Sequence, residues 1–437
     1  MKCTICRGVL GTSTLVGVMV AGLAGAQGLR NPPEGAVALG HVGGAVVLTE
    51  DASAVSHNPA NLVDLKQAEV LPTLTVIHTE TDFTGPAGTA TTDSPWKMLP
   101  NVFAAYPINT RYVMGIGITT PYGQSMEWNP DGAFRYTAPY SAMLAVVNVN
   151  PTLAARLNDK VSVGVGLDAY WSRLEMKQRF PWSAMTRNPM TPDGSIVAKG
   201  DGEGIGANAA IDVKLTASQT LALTYRSPFR VDYEGDVDVS GMPAGAQALG
   251  LSPASDFDSS IDFPAVAALG YGLKLSDTVR VGVDVEWVQS SRYKTLELDG
   301  GADNALLNAP GAANPMAPVS IRQDWDDSWT AGFGVDWRAL PDVTLRAGYI
   351  HLWSPVPDET LAPTLPDISR DVVKRRNRLP ACAACVRSGL CLQHHPRPNC
   401  QLRSESRLRR DLRDQFAHRQ RVIRLLVLRP WRPPLKR

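Results

Sequence analysis

Apolar and polar residues alternate along much of the chain with a period of two. In the segment Val279 to Trp287 the odd positions are four valines and a tryptophan, whereas the even positions hold Arg280, Gly282, Asp284 and Glu286. Segments 161–171, 261–275 and 329–338 repeat the pattern. Successive side chains of a β-strand point to opposite faces, so one face of each strand is apolar and the other is charged or small.

Eleven strands follow from this pattern, at 68–83, 100–107, 111–120, 138–157, 160–177, 202–215, 219–238, 259–275, 278–295, 326–338 and 342–353. A soluble sandwich also alternates, but most of these strands have the roughly 10 or more residues that cross a bilayer at a tilt, against about 5 or 6 in soluble proteins. Short turns at 108–111, 158–159, 216–219, 276–277 and 339–342 alternate with long loops at 84–99, 121–137, 178–200, 240–257 and 299–323.

Short turns on one side and long loops on the other are typical of outer-membrane barrels. Because backbone groups in lipid must all be hydrogen-bonded, the sheet has to close. The fold class predicted is therefore all-β, a transmembrane antiparallel β-barrel. Eleven strands is an odd number, however, and single-chain bacterial barrels have an even one. The predicted barrel is consequently incomplete.

The first 26 residues have the composition of a secretory signal peptide. Lys2 and Arg7 precede an apolar stretch, and Ala24-Gly25-Ala26 is a small-residue cleavage site, which favours removal of residues 1–26 over an uncleaved anchor. No later stretch has the roughly 18 apolar residues of a membrane helix. An exported chain without helical spans is periplasmic, secreted or an outer-membrane barrel.

The last 70 or so residues differ in kind from the rest. From Arg370 to Arg437 there are 17 Arg and 2 Lys against 4 acidic residues, a net charge of +15, whereas the remainder holds 24 basic and 38 acidic residues, a net charge of −14. Four of the six cysteines also lie there, at Cys382, Cys385, Cys391 and Cys400. Charge asymmetry of this size marks two unlike segments.

Several interpretations of this tail, 367–437, remain open. The cysteines with His394 and His395 could bind zinc, two disulfides could form in an oxidising compartment, or the arginines could bind nucleic acid or lipid. The interpretation favoured is translation in the wrong frame after a shift near residues 366–372, because GC-rich DNA read out of frame is rich in Arg, Pro, Ala and Cys. Such a tail would replace the last strands of the barrel, so neither a metal nor a nucleic acid is predicted.

Before the first strand, the segment Gly35 to Leu62 reads GAVALGHVGGAVVLTEDASAVSHNPANL. Its small-residue run, its Asp-Ala-Ser and its Asn58-Pro59-Ala60 resemble the N-terminal hatch of the FadL/TodX family of outer-membrane transporters for long-chain fatty acids and hydrocarbons. The segments GIGITTPYGQSMEW, beginning at Gly115, and LTYRSPF, beginning at Leu223, are similar to further stretches of that family. The resemblance covers residues 27–367.

The resemblance implies a 14-stranded barrel in the outer membrane of a Gram-negative bacterium, with residues 27–67 plugging the lumen and residues 68–366 forming the strands. It also implies capture of a hydrophobic molecule at the outer loops, passage into the lumen and lateral release through a gap at a kink in the third strand. Asn58, Pro59 and Ala60 would lie beside that kink.

The third predicted strand carries residues suited to such a kink. Gly115 and Gly117 lie within it and Pro121 follows it, and glycine or proline at these places is typical of a bulge. The two glycines are equally consistent with small residues that simply face the lumen.

Four arginines face the lumen by alternation: Arg226, Arg280, Arg338 and Arg346. They are candidate ligands for a carboxylate. The competing interpretation is that they pair with Asp284, Glu286 and Asp336 to fill the lumen, and no residue distinguishes a fatty acid from a neutral hydrocarbon.

The predicted function is passive, with no cofactor, no catalytic residues and no bound metal. GDGEGIG at 200–206 opens a strand rather than a helix, which argues against a phosphate loop, and no Ser-His-Asp pattern indicates a hydrolase. A generic porin and an adhesin remain alternatives. The expected partners are the hydrophobic ligand, outer-membrane lipids with lipopolysaccharide, and the barrel-assembly machinery, and the expected state is a monomer.

Overall fold

The computed structural model describes residues 28–85, 88–248, 252–299, 319–341, 343–362, 364–365, 367 and 369–376. Within them, the plug (residues 28–67) contains α1 (Ala38–His41), α2 (Ala45–Leu48), α3 (Ala54–His57) and a 3-10 helix at Pro59–Asp64. The strands are β1 (Glu69–His78), β2 (Asp82–Gly85), β3 (Gly88–Thr91), β4 (Trp96–Pro107), β5 (Tyr112–Glu127), β6 (Ser141–Arg156), β7 (Val161–Phe180), β8 (Gly194–Lys214), β9 (Gln219–Arg226), β10 (Phe229–Ser240), β11 (Ala254–Phe263), β12 (Val266–Lys274), β13 (Val279–Val288), β14 (Thr295–Asp299), β15 (Val319–Arg322), β16 (Ser328–Leu340), β17 (Val343–Leu352) and β18 (Arg370–Arg376). Loop helices are α4 (Trp182–Thr186), α5 (Ala244–Ala248) and a 3-10 turn at Ser290–Arg292.

Sixteen of these strands form one antiparallel sheet, which is the wall of the protein. Its path is β1-β4-β5-β6-β7-β8-β9-β12-β13-β16-β17-β18, while β10, β11, β14 and β15 continue β9, β12, β13 and β16 at one end. Tight turns join neighbours at the other end. In one of them the Asn158 side-chain oxygen accepts hydrogen bonds from the backbone N–H groups of Lys160 (2.8 Å) and Val161 (2.9 Å). This Asx-turn joins the two strands without a long loop.

The two faces of the wall are inverted relative to a soluble sheet. Outward positions such as Leu167, Leu269 and Phe333 are exposed and apolar, whereas inward neighbours such as Asp168 and Asp336 are buried and polar. This is the distribution expected when lipid contacts the outside and a polar lumen is filled inside. In the described part of the chain, no helix is both long and apolar enough to cross a bilayer.

The pattern reverses where the wall extends into its outer strands. In β10 the outward residues Asp232, Glu234 and Asp236 are exposed, and the inward residues Val231 and Tyr233 are buried. Even-numbered residues face inward in β9, whereas odd-numbered residues face inward in β10. The change falls at Ser227-Pro228, between the two strands. Charged side chains outside and an apolar cluster inside are appropriate to water rather than lipid, so Ser227-Pro228 marks the limit of the apolar band on this side of the wall.

The plug lies inside the wall and contacts strands all around it. The helix α1 touches β16 to β18, α2 touches β9, β12, β13 and β16, and the 3-10 helix touches β5 to β8. Wall glycines permit this close approach at the α1 side. A methyl group on Gly348 would overlap the carbonyl oxygen of His41, and one on Gly332 would lie 2.9 Å from Cα of Gly43.

Substitution of Gly348 by alanine should therefore displace α1 and destabilise the protein by about 1–3 kcal/mol, the usual range for overpacking. The obstacle is a backbone carbonyl, which cannot rotate away as a side chain can. Gly272→Ala is the matched control, because it faces the same plug but would meet only side-chain atoms, of Val47 at 3.3 Å and of Thr220 at 3.9 Å. Thermal unfolding of the two purified variants compares them, and equal midpoints would contradict the predicted contact.

The structure modifies several predicted boundaries. The eleven predicted strands all have counterparts in the wall, but β18 pairs with β17 from Arg370 to Arg376, so the sheet extends beyond residue 366, where its end was predicted. β5, β8 and β11 also continue into segments predicted as long loops, because these ends form the water-exposed extension. The predicted signal peptide at 1–26 and the tail from 377 with its four cysteines lie outside the described residues.

Candidate functional site

The third strand of the wall, β5, contains a bulge. Its pairing with β6 shifts by one residue between Thr119, opposite Asn148, and Tyr122, opposite Val146. The shift falls at Thr120 and Pro121, and a proline without an N–H is suited to a place where pairing is interrupted. The register shift thus lies at Pro121, where the sequence predicts a kink.

Gly115 and Gly117 are not part of this bulge. They pair regularly with Ala105 and Phe103 of β4 and with β6 on the other side. A methyl group on Gly115 would lie 2.7 Å from the Val55 side chain, and one on Gly117 would lie 3.2 Å from it. The alternative interpretation therefore applies to both glycines: they are small residues that allow α3 of the plug to pack on the wall.

Beyond the bulge, β4 and β5 separate. They pair only from Val102 to Pro107 and from Val113 to Ile118, whereas β4 residues before Val102 pair with β1 and the rest of β5 pairs with β6. Among the described strands, none pairs with this part of β5 on the β4 side. A slot of about 410 Å³ results, lined among others by Trp96, Met98, Gln124 and Met126.

The slot reaches from the outer face of the wall to the inner one. Met98 at its rim faces outward and is 67 % exposed, while Tyr122 faces inward and is 2 % exposed. Side-chain hydrogen bonds cross between the strands, from Nζ of Lys97 to Oγ of Ser125 at 3.1 Å and from the N–H of Thr120 to Oδ1 of Asn101 at 2.9 Å. Along the slot, β4 and β5 are thus not joined by a backbone ladder.

The first residues of the plug cover the bulge from inside. The N–H of Asn31 donates to the carbonyl of Pro121 (2.9 Å), and the N–H of Gly123 donates to the carbonyl of Leu29 (2.8 Å). The side-chain amide of Asn31 donates to the carbonyl of Thr120 (2.8 Å). These bonds satisfy backbone groups that β4 leaves without a partner, as buried backbone requires.

A central cavity of about 150 Å³ lies between the plug and the wall. Plug residues Arg30, Asn31 and Pro59 line it, together with Tyr122 and Arg226 of the wall. Asn31 and Tyr122 line the slot as well. The cavity and the slot are therefore neighbours, separated by these two residues.

Aromatic rings form the wall of the lumen beside Tyr122. Phe229 stacks on Tyr170 (centroids 3.7 Å apart, planes at 6°) and on Phe263 (4.5 Å, 2°). Tyr122 meets Phe263 edge-on at 5.1 Å. Such pairs add to the stability that burial of the rings already supplies, so this cluster is a rigid apolar surface at the edge of the cavity.

The two arginines at the cavity are already paired with acidic side chains. Nη1 of Arg226 donates to Oδ1 of Asp168 at 2.5 Å and its Nη2 donates to the carbonyl of Ser56 at 3.2 Å. Arg30 forms an ion pair with Glu286. Buried charges need such partners, so both guanidinium groups that line the cavity in the described part of the chain are already paired with a carboxylate.

The other predicted lumen arginines lie elsewhere. Arg280 and Arg346 both bind Asp336, at 2.7 and 3.1 Å, so the competing interpretation, that arginines fill the lumen by pairing, describes these two. Arg338 has inward parity but lies exposed near the end of β16. Of the four predicted residues, only Arg226 lines the central cavity.

Asp336 also binds the plug. Nε2 of His41 hydrogen-bonds to its carboxylate, and Arg280 pairs in addition with Glu50 of the plug. Burial lowers the pKa of His41, as do Arg280 and Arg346, against the raising effect of Asp336. The four-residue group of His41, Arg280, Asp336 and Arg346 fastens α1 to the wall.

The Asn-Pro-Ala motif joins the plug to a different part of the wall. The Asn58 side chain accepts from the N–H of Ala60 (3.0 Å) and donates to the carbonyl of Val46 and to Oδ1 of Asp212, both at 2.8 Å. The motif thus caps the 3-10 helix and contacts β8. On β5 itself the plug residues that pack against Gly115 are Val55 and Leu62, and Pro59 and Pro121 line the same cavity.

Arg30, Asn31 and Tyr122 are site residues that sequence reasoning did not single out. Tyr122 stands directly after the predicted kink residue, so its position was available. Arg30 and Asn31 lie before the recognisable hatch motif, in a segment without periodicity, and only the folded chain brings them to the bulge.

Comparisons with known proteins agree with this geometry. The model of the outer membrane protein transport protein family (OMPP1/FadL/TodX) matches residues 17–374. A long-chain fatty acid transport protein of Escherichia coli O6:H1 is 23 % identical over 354 residues, covering 74 % of this chain and 76 % of that protein. A 47 kDa outer membrane protein of Pasteurella multocida is 24 % identical over 385 residues, with coverage of 76 % and 89 %.

Solved structures share the fold. A Pseudomonas aeruginosa FadL homologue superposes with a TM-score of 0.67 at 21 % identity, covering 79 % of this chain and 85 % of that one. The Ralstonia pickettii toluene transporter TbuX gives 0.57 at 20 % identity, with coverage of 73 % and 86 %. The all-β barrel with an N-terminal hatch is the shared architecture.

Proposed function

Because the chain belongs to the OMPP1/FadL/TodX family of outer-membrane transporters, we propose that it moves compact, neutral hydrophobic molecules across the outer membrane and releases them sideways into the bilayer. The observation that carries this proposal is the slot between β4 and β5, which adjoins the central cavity at Asn31 and Tyr122. Relatives are named for long-chain fatty acids and for toluene.

Lateral release has a physical reason. An apolar molecule that left the lumen through water would be rehydrated, at about 25 cal/mol for each Å² of apolar surface. A slot rimmed by Trp96 and Met98 lets it pass directly from a protein cavity to lipid chains. Concentration and burial then drive the flow, with no cofactor and no catalytic step.

The size of the cavity supports a small ligand. Its volume is about 150 Å³, and an engineered apolar cavity of about that size binds benzene. Toluene is of this scale, whereas a long-chain fatty acid is several times larger. TbuX, named as a toluene transporter, is one of the structural neighbours.

The charges around the cavity also support a neutral ligand. Arg30 and Arg226 are its guanidinium groups, and each is paired with a wall carboxylate, Glu286 and Asp168 respectively. Asp284 and Glu34 add further acidic groups to the lining. A fatty carboxylate would have to displace an existing ion pair, while a hydrocarbon leaves both pairs intact.

Uptake by cells of a Gram-negative host without a family member of its own tests the proposal. Expression of the chain should raise the initial rate of radiolabelled toluene uptake at least ten-fold over the empty vector and leave oleate uptake unchanged. Stimulation of oleate uptake alone would agree with a transport function but would overturn the proposal that the ligand is small and neutral. No stimulation of either compound, with the protein present in the outer membrane, would overturn transport itself.

The remaining partners are proposed from the location. We infer that the chain acts as a monomer, meets lipopolysaccharide at its outer extension and is inserted by the barrel-assembly machinery. The apolar outer band of β7, β12 and β16 is the surface that lipid chains would contact.

A further inference from the structure

Asn208, in the lining of the central cavity, has a side-chain acceptor without a donor. The residue is 7 % exposed, and its Oδ1 is buried and accepts no hydrogen bond from any described residue. None of the other described residues that line the cavity has a buried side-chain nitrogen or oxygen in this condition. Buried polar atoms almost always have a hydrogen-bond partner, so this oxygen distinguishes Asn208 from the rest of the lining.

The orientation of the Asn208 amide is fixed by Asp168. Nδ2 of Asn208 donates to Oδ2 of Asp168 at 2.9 Å, and a carboxylate can only accept hydrogen bonds. An exchange of the amide nitrogen and oxygen would place two acceptors against each other. The atom of Asn208 that lacks a partner is therefore the oxygen, and only a donor can satisfy it.

The two residues opposite Asn208 on the neighbouring strands do not supply that donor. Gly166 of β7 has no side chain. The guanidinium of Arg226 of β9 donates instead to Asp168 and to the carbonyl of Ser56. A donor for Asn208 therefore has to come from elsewhere, and the space beside this residue is the cavity.

Asn148 has the same arrangement away from the cavity. Its Nδ2 donates to Oδ1 of Asp168 at 2.7 Å, and its own Oδ1 lacks a partner among the described residues. It does not line the cavity, and the residue opposite it on β5 is Thr119, whose buried hydroxyl is likewise unbonded. Opposed side chains of neighbouring strands are close enough to interact, so a rotation of this hydroxyl can supply Asn148 with a donor.

The lining becomes apolar on the next strand. Asn208, Arg226 and Val266 stand opposite one another in turn across β8, β9 and β12. Val266, Ala268 and the ring of Tyr122 also line the cavity, and an aromatic ring favours another aromatic ring as its neighbour. The lining therefore suits an aromatic hydrocarbon part beside one hydrogen-bond donor. A carboxylate or phenolate has no proton to donate and would leave Oδ1 of Asn208 unpaired.

Building on the proposed transport of compact neutral molecules, on which the inference rests, we propose that the central cavity selects neutral phenols, whose hydroxyl donates to Oδ1 of Asn208. Asn208 is then the residue that sets specificity. A compound of the same size without the hydroxyl still fits the cavity but leaves the oxygen unpaired, and a site that hydrogen-bonds a hydroxyl discriminates against such an analogue.

Equilibrium dialysis of radiolabelled phenol and toluene tests the proposal, with the purified full chain in detergent and a blank of detergent alone. The two compounds are alike in size and differ in a hydroxyl against a methyl group. The measured quantity is the dissociation constant of toluene divided by that of phenol. In Asn208→Leu this ratio should fall about ten-fold or more relative to the natural sequence, because the variant has no acceptor for the phenol hydroxyl.

Asn148→Leu is the matched control. It removes an equivalent hydrogen bond from Asp168 but leaves the lining of the cavity unchanged, so its ratio should stay within about two-fold of the natural one. A similar fall in both variants would trace the preference to Asp168 and overturn the assignment to Asn208. An unchanged ratio in Asn208→Leu, with both compounds bound, would overturn the selection of phenols alone. A natural protein that binds neither compound would overturn the proposed transport of compact neutral molecules as well.

A third compound keeps the test open if Asn208→Leu does not assemble. Anisole retains the oxygen of phenol but carries a methyl group in place of the proton. Each affinity for the natural protein is divided by the partition coefficient of the compound between water and hexadecane, which removes the difference in hydrophobicity. Phenol should then bind about ten-fold or more tightly than anisole, because only phenol can donate. Equal corrected affinities would contradict the hydrogen bond to Asn208.

Discussion

Replacement of Asp336 by alanine should loosen α1 from the wall by about 3–5 kcal/mol, the usual cost of removing one partner from a buried ion pair. Asp336 is 3 % exposed. Its carboxylate accepts a hydrogen bond from His41 and forms ion pairs with Arg280 and Arg346. Without it two guanidinium groups remain close together, with their charges only partly compensated by Glu50.

Hydrogen exchange at the amides of Ala38 to Val42 measures the effect. Protection there should fall at least a hundred-fold, since about 1.4 kcal/mol corresponds to each factor of ten. Arg338→Ala is the matched control, because Arg338 lies two residues further along β16 and is exposed. Protection equal to that of the control would show that the carboxylate does not hold the plug.

The second prediction with a large expected effect concerns the tail at the C-terminal end of the chain. We predict that another reading frame, entered near the codons for residues 374–376, yields further alternating strands that end in an aromatic residue. The family match continues to residue 374 and β18 continues to Arg376, so the junction is expected later than the 366–372 indicated by composition.

A chain with that frame restored should assemble more completely than the chain with its present tail. Among the described strands, β1 pairs only with β4 and β18 only with β17. Each unpaired backbone group in lipid costs several kcal/mol. Electrophoresis of unheated samples compares the two chains, because a closed barrel migrates faster than its heated form. An equally complete compact band from the printed chain would contradict the frameshift, and sequencing of the gene decides it directly.

The strands of the wall were predictable from the sequence because the alternation that identifies a strand is a local property of the chain. Alternation at Val279 to Trp287 and at Trp329 to Arg338 follows from the pleat alone, and both segments are strands in the expected orientation. The outer extension was predicted only in part: β10 falls within the predicted strand 219–238, whereas β15 and the start of β11 fall within segments predicted as long loops.

The candidate site was only partly predictable. Pro121 marked the kink and Arg226 the cavity, since a proline in a strand and an inward arginine are visible in the pattern. The partners of these residues were not visible in the sequence. Arg226 donates a hydrogen bond to Asp168, 58 residues away in the chain, and Asn31 donates to Thr120, 89 residues away. Alternation predicts which side of the wall a residue faces, but it does not predict which plug residue that wall residue contacts.

The contact between His41 and Asp336 joins residues 295 positions apart in the chain. The plug is synthesised first, yet α1 can be fastened only after β16 to β18 have been made and placed beside it. Non-local contacts of this kind are associated with slow folding. During assembly the barrel must therefore pass through a stage in which much of its wall exists while α1 is not yet fastened, and β16 to β18 complete the attachment of this helix.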